Sequence, residues 1–111
     1  MKIVQKLESP PLFISPQLNL GDIYSNLGDY EKSSDYYQQS LTTAQKIRNR
    51  RSEGNALLAL AGNYFSQGEP QRTVELSQQA LIIFQQIKVP QLQAFAQQML
   101  SLGYGDLGND A

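Results

Sequence analysis

Neither cysteine nor histidine occurs in this 111-residue chain. Without Cys there are no disulfides, no thiolate nucleophiles and none of the most common structural zinc sites. Without His the chain also lacks the usual general base near neutral pH and the most common metal ligand. We therefore expect a protein that is not an enzyme, with no catalytic residues, no metal site and no cofactor.

Net charge and long apolar runs are scarce as well. Lys and Arg number 9 and Asp and Glu number 10, which gives a formal net charge of -1. This balance provides no positive field of the kind that draws proteins onto nucleic acid or anionic lipid. No apolar run has the length of a signal peptide, or the roughly 18 residues of a membrane span. These features predict a cytoplasmic protein that binds neither nucleic acid nor membranes.

What the sequence does contain is an internal repeat with a period of 40 residues. The segments 18–30, 58–70 and 98–110 show the same order of residues when they are shifted by that period. The aligned positions are Leu20, Leu60 and Leu100; Gly21, Ala61 and Ser101; Tyr24, Tyr64 and Tyr104; Gly28, Gly68 and Gly108; and Asp29, Glu69 and Asn109.

Each aligned position suits a hairpin of two helices. The Leu and the Tyr are four residues apart and so share one helical face, and the small residue after the Leu lets a second helix approach closely. The Gly can end the first helix in the left-handed conformation, and the Asp or Asn after it can accept N–H bonds at the start of the next helix. Pro70 suits a first helical position, where no N–H partner is needed. The repeat therefore predicts a first helix, a Gly turn and a second helix.

Second helices are predicted over residues 30–47 and 70–87, where apolar residues recur at three- and four-residue steps. In the first hairpin, the first helix is expected to begin at Pro16, which follows a Ser that can cap it.

The first helix of a third hairpin is predicted over about residues 90–107, and a Pro begins it. Within it, Gly103 and Gly105 are expected to weaken the helix, at a cost of roughly 1 kcal/mol each relative to Ala. Gly108 is expected to end the helix, and Asn109 to stand in the capping position of a helix that would follow.

The two complete hairpins share residues with a known helical repeat at its usual spacing: Leu20, Gly21 and Tyr24, the Leu-Gly-Asp-Tyr of residues 27–30, Tyr37, and the pairs Ser40-Leu41 and Ala80-Leu81. With these residues, positions 16 to 110 resemble the tetratricopeptide repeat family in its 40-residue form. The resemblance implies an all-α fold, a right-handed superhelical stack of antiparallel helix hairpins with about five helices in two and a half repeat units.

The expected domain organisation follows the repeat. Residues 1–15 form an N-terminal extension, residues 16–48 the first repeat unit and residues 49–88 the second. Residues 89–111 form half of a third unit, which acts as a capping helix on the second.

Proteins of that family use the first helices to line a concave groove that receives an extended peptide or a partner helix. By position, the resemblance implies a groove lined by Leu18, Asn19, Asp22, Asn26, Asn55, Leu58, Gly62, Phe65, Phe95 and Leu102. None of these is Lys or Arg, which argues against the family's known clamp on a peptide's terminal carboxylate.

Other uses of these residues remain open. Neighbouring helices or another subunit could cover Leu58, Phe65 and Phe95, and the Asn residues could be ordinary exposed side chains. The segment 10–17 carries Leu12, Phe13 and Ile14, and it could fold back over an apolar face.

Clusters of charge have local explanations. Among the carboxylates that acid–base chemistry would need, Asp29 reads as a helix cap, Glu31 as a first-turn residue favoured by the helix dipole, and Asp35 as a solvated position. Asp22 is one of the residues that the resemblance places in the groove. The basic residues cluster at one helix end and connector, where cations are favoured without any nucleic acid: Lys46, Arg48, Arg50 and Arg51.

We therefore expect a non-enzymatic scaffold that binds a protein or peptide partner. Two other classes stay open, a self-assembling structural repeat without a ligand and a regulatory subunit of a separate enzyme. The last helix carries more apolar residues than one packed face requires: Phe95, Met99, Leu100, Leu102, Tyr104 and Leu107. This excess predicts a homo-oligomer formed through the C-terminal helix, or a fragment of a longer array whose next helix would cover the same face.

Overall fold

The structure is a computed structural model that describes residues 16–109. This part of the chain folds into five α-helices and contains no β-strand. The helices are α1 (Pro16–Asn26), α2 (Tyr30–Ile47), α3 (Arg50–Ser66), α4 (Pro70–Gln86) and α5 (Pro90–Asn109). The expected all-α fold is confirmed. Segment 10–17 was expected to be able to fold back over an apolar face; residues 10–15 of it lie outside the described residues, and Pro16 and Gln17 belong to α1.

Glycine turns join the two helices of each hairpin. Gly28 and Gly68 have φ angles of 84° and 77°, in the left-handed region that costs glycine least. After the first turn, the Asp29 side chain accepts the backbone N–H of Lys32 at 3.2 Å and caps α2. Glu69 makes no such side-chain cap, and α4 instead begins with Pro70.

The connectors between hairpins use basic residues in the same left-handed conformation. Arg48 and Lys88 have φ angles of 59° and 60° and occupy aligned positions in the repeat. Asn49 then caps α3 by accepting the N–H of Ser52 at 3.1 Å, and Pro90 opens α5. Both connectors therefore stop one helix and start the next within three residues.

Helices that follow each other in sequence pack against each other, and α3 also contacts α5 directly. In each hairpin a hydroxyl near the start of the second helix lies beside a backbone carbonyl of the first. The hydroxyl of Ser33 donates to the carbonyl of Gly21 at 2.7 Å. At the aligned position the hydroxyl of Thr73 donates to the carbonyl of Glu69 at 3.0 Å and lies 3.5 Å from the carbonyl oxygen of Ala61. The described helices form a stack of antiparallel hairpins with principal extents of 59 × 31 × 20 Å.

Three glycines permit the close approach of neighbouring helices. A Cβ on Gly21 would overlap the ring of Tyr37. A Cβ on Gly54 would lie 2.6 Å from the ring of Phe84, and one on Gly103 would lie 2.8 Å from Cγ2 of Val74. The apolar core that these contacts surround is formed by Tyr37, Leu41, Ala56, Leu57, Leu60, Ala80, Ile83, Phe84 and Ala96.

One expectation for the last helix was wrong, because α5 continues past Gly108 through Asn109. Gly103 is buried, and its lack of a side chain lets α5 lie against α4. The cost in helix propensity expected at Gly103 stays a prediction. Within residues 16–109, none of the helices combines the length and the apolar character needed to cross a membrane.

Candidate protein-binding groove

The first helices of the repeats, α1, α3 and α5, are the elements expected to line the groove. Ser25 of α1 donates a hydrogen bond to Asn63 of α3 at 3.1 Å, and α3 packs on α5, so the three helices are neighbours in that order. Residues three or four apart share a helical face, and Asp22, Gly62 and Leu102 are aligned by the 40-residue period. We use the name groove for the surface that the ten expected residues form on these helices.

The expected residues fall into two groups by exposure. Asn19, Asp22, Asn26, Phe95 and Leu102 are exposed, and Leu18, Asn55, Leu58, Gly62 and Phe65 are half-buried. Leu18 and Leu58 also pack against the apolar core, so these two side chains have a structural role whatever the groove binds. The remaining eight are available to a ligand in part or in full, and their role in binding stays a prediction.

The groove is polar on α1 and apolar on α5. On α1 it presents the amides of Asn19 and Asn26 and the carboxylate of Asp22. On α5 it presents Phe95 and Leu102, whose exposed fractions are 57% and 41%. An occupant that lies across the three helices would therefore meet acceptors and donors at one end and apolar surface at the other.

Asp22 is held in place by the helix behind it. The hydroxyl of Tyr37, a buried residue of α2, donates a hydrogen bond to Oδ1 of Asp22. Burial of the phenol, and then its bond to the Asp22 carboxylate, raise the pKa of Tyr37 above its ordinary value of 10.0. Tyr37 therefore remains a donor at neutral pH and fixes one carboxylate oxygen of Asp22 at the groove.

A buried polar cluster under the groove joins α1, α2 and α3. The Nδ2 group of Asn63 donates to the hydroxyls of Ser33 at 2.8 Å and Ser34 at 3.2 Å, and Oδ1 of Asn63 accepts from Ser25 at 3.1 Å. Sequence reasoning missed Asn63. A signal existed, because the residues aligned with it are Ile23 and Gly103, so Asn63 is polar where the other repeats are not.

Gly62 differs from the glycines that packing requires. It lies in the middle of α3, and a Cβ there would meet only the Cε atom of Met99, at an ordinary contact distance of 3.6 Å. A glycine inside a helix costs about 1 kcal/mol relative to Ala. Gly105 and Gly108 also have open space around them, but they lie in the last turns of α5, where the helix ends. No contact in the described part of the fold explains why residue 62 has no side chain.

Several other surface features lie outside the groove. Two open depressions, of about 410 and 530 Å³, contain none of the ten groove residues. The basic connector residues Arg48, Arg50 and Arg51 are exposed, and Arg50 is paired with Glu53 at 3.1 Å and bonded to Gln86. Among residues 16–109 there is no group of three or more acidic side chains placed to hold a metal ion.

Comparison with known proteins agrees with the hairpin geometry. A family model described as tetratricopeptide repeat matches residues 13–86, which is about two-thirds of the chain and includes all four helices of the two complete hairpins. No curated protein and no solved structure matches the sequence. Because the family model covers well over half of the chain, and the helices, Gly turns and inter-helix contacts repeat with the same period, the protein belongs to the tetratricopeptide repeat family.

Proposed function

We propose that this protein is an interaction scaffold whose groove binds a segment of a partner protein. Tetratricopeptide repeats generally mediate protein–protein interactions. The specific site follows from the side chains that this chain places on α1, α3 and α5. An exposed apolar surface beside exposed amides suits a peptide, whose side chains need apolar contacts and whose backbone needs hydrogen bonds.

The observation that carries the proposal is the open space above Gly62. Packing explains Gly21, Gly54 and Gly103, because a Cβ at each would collide with a neighbouring helix. At Gly62 a Cβ would collide with nothing, yet the chain accepts the cost of a glycine inside a helix. A ligand that passes close to the α3 backbone provides the reason, because any side chain at residue 62 would occupy its space.

Substituting Gly62 tests this proposal with two variants of opposite effect. Gly62→Ala should raise the free energy of unfolding by about 0.5–1 kcal/mol, because it improves helix propensity without a clash. Gly62→Leu should keep the helical circular dichroism of the wild type but fill the centre of the groove. We expect a partner captured from extracts of the source cell to be retained by the wild type and lost from Gly62→Leu, with about tenfold or greater weakening.

Gly54→Ala is the matched control for this pair. It makes the same chemical change in the same helix, but its Cβ would lie 2.6 Å from the ring of Phe84. We expect Gly54→Ala to lower stability while Gly62→Ala raises it. Equal retention of partners by the wild type and Gly62→Leu would reject the groove as the binding site.

Self-assembly is a second candidate function, because both ends of the described stack expose apolar side chains. Leu20 is 37% exposed whereas its aligned partner Leu60 is 3% exposed. The difference arises because α2 packs on α3, whereas no described helix packs on the corresponding face of α1. Ile23 on that face is 52% exposed, and Tyr104 on α5 is 54% exposed. Stacking of the α1 end of one copy on the α5 end of another would cover both surfaces.

End-to-end stacking predicts a specific mixing result. Wild-type protein should exceed the mass of one chain in light scattering at high micromolar concentration. Ile23→Lys and Tyr104→Lys should each prevent growth of the stack, because each places a charge in the apolar contact. An equimolar mixture of the two variants should form a heterodimer, since each still has one intact end. A wild-type mass equal to one chain would contradict self-assembly and leave the groove proposal intact.

A further inference from the structure

The outer first helices carry negative charge only. Asp22 is the single charged residue of α1, and Asp106 is the single charged residue of α5. Asp106 lies four residues after Leu102, so both are on the groove face of α5. On the central helix, Arg51 lies one turn before Asn55, at the edge of the groove where the first helices begin. The groove therefore has carboxylates toward the middle and the far ends of its helices.

No basic side chain of the described fold neutralises these carboxylates. The ion pairs within residues 16–109 are Arg50 with Glu53 at 3.1 Å and Arg72 with Glu69 at 4.0 Å. Asp22 receives a hydrogen bond from the neutral hydroxyl of Tyr37, which orients the carboxylate without cancelling its charge. A charge that is fixed in position and left unpaired attracts an opposite charge on an incoming ligand.

Apolar surface lies beside these charges. Phe95 and Leu102 are both large and exposed, and they belong to the helix that packs on α3. Between Asp22 and Leu102 the aligned residue is Gly62, which leaves the space between them open. A ligand crossing α3 can therefore contact the carboxylate on one side and the apolar side chains on the other.

We propose that the groove selects a protein segment that carries a Lys or Arg together with a bulky apolar side chain, the cation binding at Asp22 and the apolar side chain at Phe95 and Leu102. This inference rests on the groove function proposed above and adds the chemistry of the partner. An acidic segment would bring like charges together at Asp22 and Asp106, which costs binding free energy. A purely apolar segment would leave the charge of the Asp22 carboxylate without a cationic partner and partly removed from water.

Selection from a random dodecapeptide library displayed on phage tests this chemistry without knowledge of the natural partner. The immobilised wild-type protein is the bait, and phage that also bind Gly62→Leu are removed beforehand. We expect the selected peptides to share a Lys or Arg and a bulky apolar residue. Synthetic copies should bind more weakly as ionic strength rises, and replacing their cation with Glu should abolish binding.

Three single variants test which groove residues bind the cation of the peptide and which bind its apolar side chain. Asp22→Asn keeps an oxygen that can accept the Tyr37 hydroxyl and removes only the charge, so it should weaken binding about threefold to tenfold. Leu102→Ala should weaken binding about tenfold. Asp35→Asn makes the same charge change at an exposed position of α2, outside the groove, and should leave the affinity unchanged.

The outcomes separate this inference from the groove function itself. The partner chemistry would be overturned, and the groove left in place, by peptides that fail to bind Gly62→Leu but carry no cation. The same would follow if the selected peptides bound Asp22→Asn and the wild type with equal affinity. Failure to select any peptide that Gly62→Leu excludes would overturn both.

Discussion

Phe84→Ala should lower the free energy of unfolding by about 3–5 kcal/mol, the range measured when a large aromatic side chain is removed from a core. Phe84 has no exposed surface, and its ring lies so close to α3 that only glycine fits at residue 54. Truncation would leave a cavity between α3 and α4 that the helices cannot close without losing their other contacts. The loss is a large part of the roughly 5–15 kcal/mol that holds a typical domain together, and urea unfolding monitored by circular dichroism measures it.

Two further variants show whether the cavity is the cause. Ile82→Ala removes a large apolar side chain two residues away on the same helix, but Ile82 is 48% exposed, so its loss should cost under about 1 kcal/mol. Adding Gly54→Ala to Phe84→Ala should recover about 1 kcal/mol, because the new methyl group enters the vacated space and improves helix propensity. Additive losses in the double variant would show that the ring of Phe84 does not pack on residue 54.

The hairpins could be predicted from the sequence because local residues determine them. Gly28 and Gly68 end helices through their own backbone conformation, and Asp29 caps α2 through a bond to a residue three positions later. Such signals act within a few residues, so one sequence is enough to read them. The family model matched over the same residues, because it recognises the same local pattern.

Features that depend on a third helix could not be read in this way. The sequence pattern predicted a cost in helix propensity at Gly103, but it did not indicate that this residue admits Val74 and Thr73 of α4. Leu20 and Leu60 are identical in the sequence pattern, yet one is exposed and the other is buried, because only α3 has a second helix packed on that face. The period of the repeat aligns positions, but it does not indicate which neighbours are present.

The groove could be predicted from the sequence only in part. Helical periodicity and the family resemblance were enough to choose the face that holds Asp22, Gly62 and Leu102. They could not indicate that Tyr37 holds the carboxylate of Asp22, or that Gly62 has free space above it while Gly54 does not. These two observations depend on the distance between helices. They are the observations from which we propose a ligand that passes close to α3 and carries a cation.

Asn63→Asp should be among the most destabilising conservative changes in the chain, costing about 3 kcal/mol or more at pH 7. Asn63 is buried, and its Nδ2 group donates to the hydroxyls of Ser33 and Ser34. A carboxylate at that position has no N–H to donate, and the cations of the described fold are all on its surface. Ser33 already donates its own proton to the carbonyl of Gly21, so it cannot turn that proton toward the new charge without breaking the bond between α1 and α2.

The pH dependence of this variant identifies the buried charge as the cause. Burial should raise the pKa of the introduced carboxyl group in the folded state above the value of about 3.9 for an Asp in an unfolded chain. The protonated acid is then favoured by folding, and it restores a donor for Ser33 and an acceptor for Ser25. The stability deficit relative to the wild type should therefore be full at pH 7 and shrink as the pH falls toward about 4. Asn26→Asp makes the same change at the exposed C-terminal residue of α1, where only the helix dipole opposes the charge, so its recovery should be much smaller. The cluster at Asn63 joins α1, α2 and α3. A stability deficit that does not change with pH would therefore indicate that the variant acts by loosening the packing of these helices and not by burying a charge.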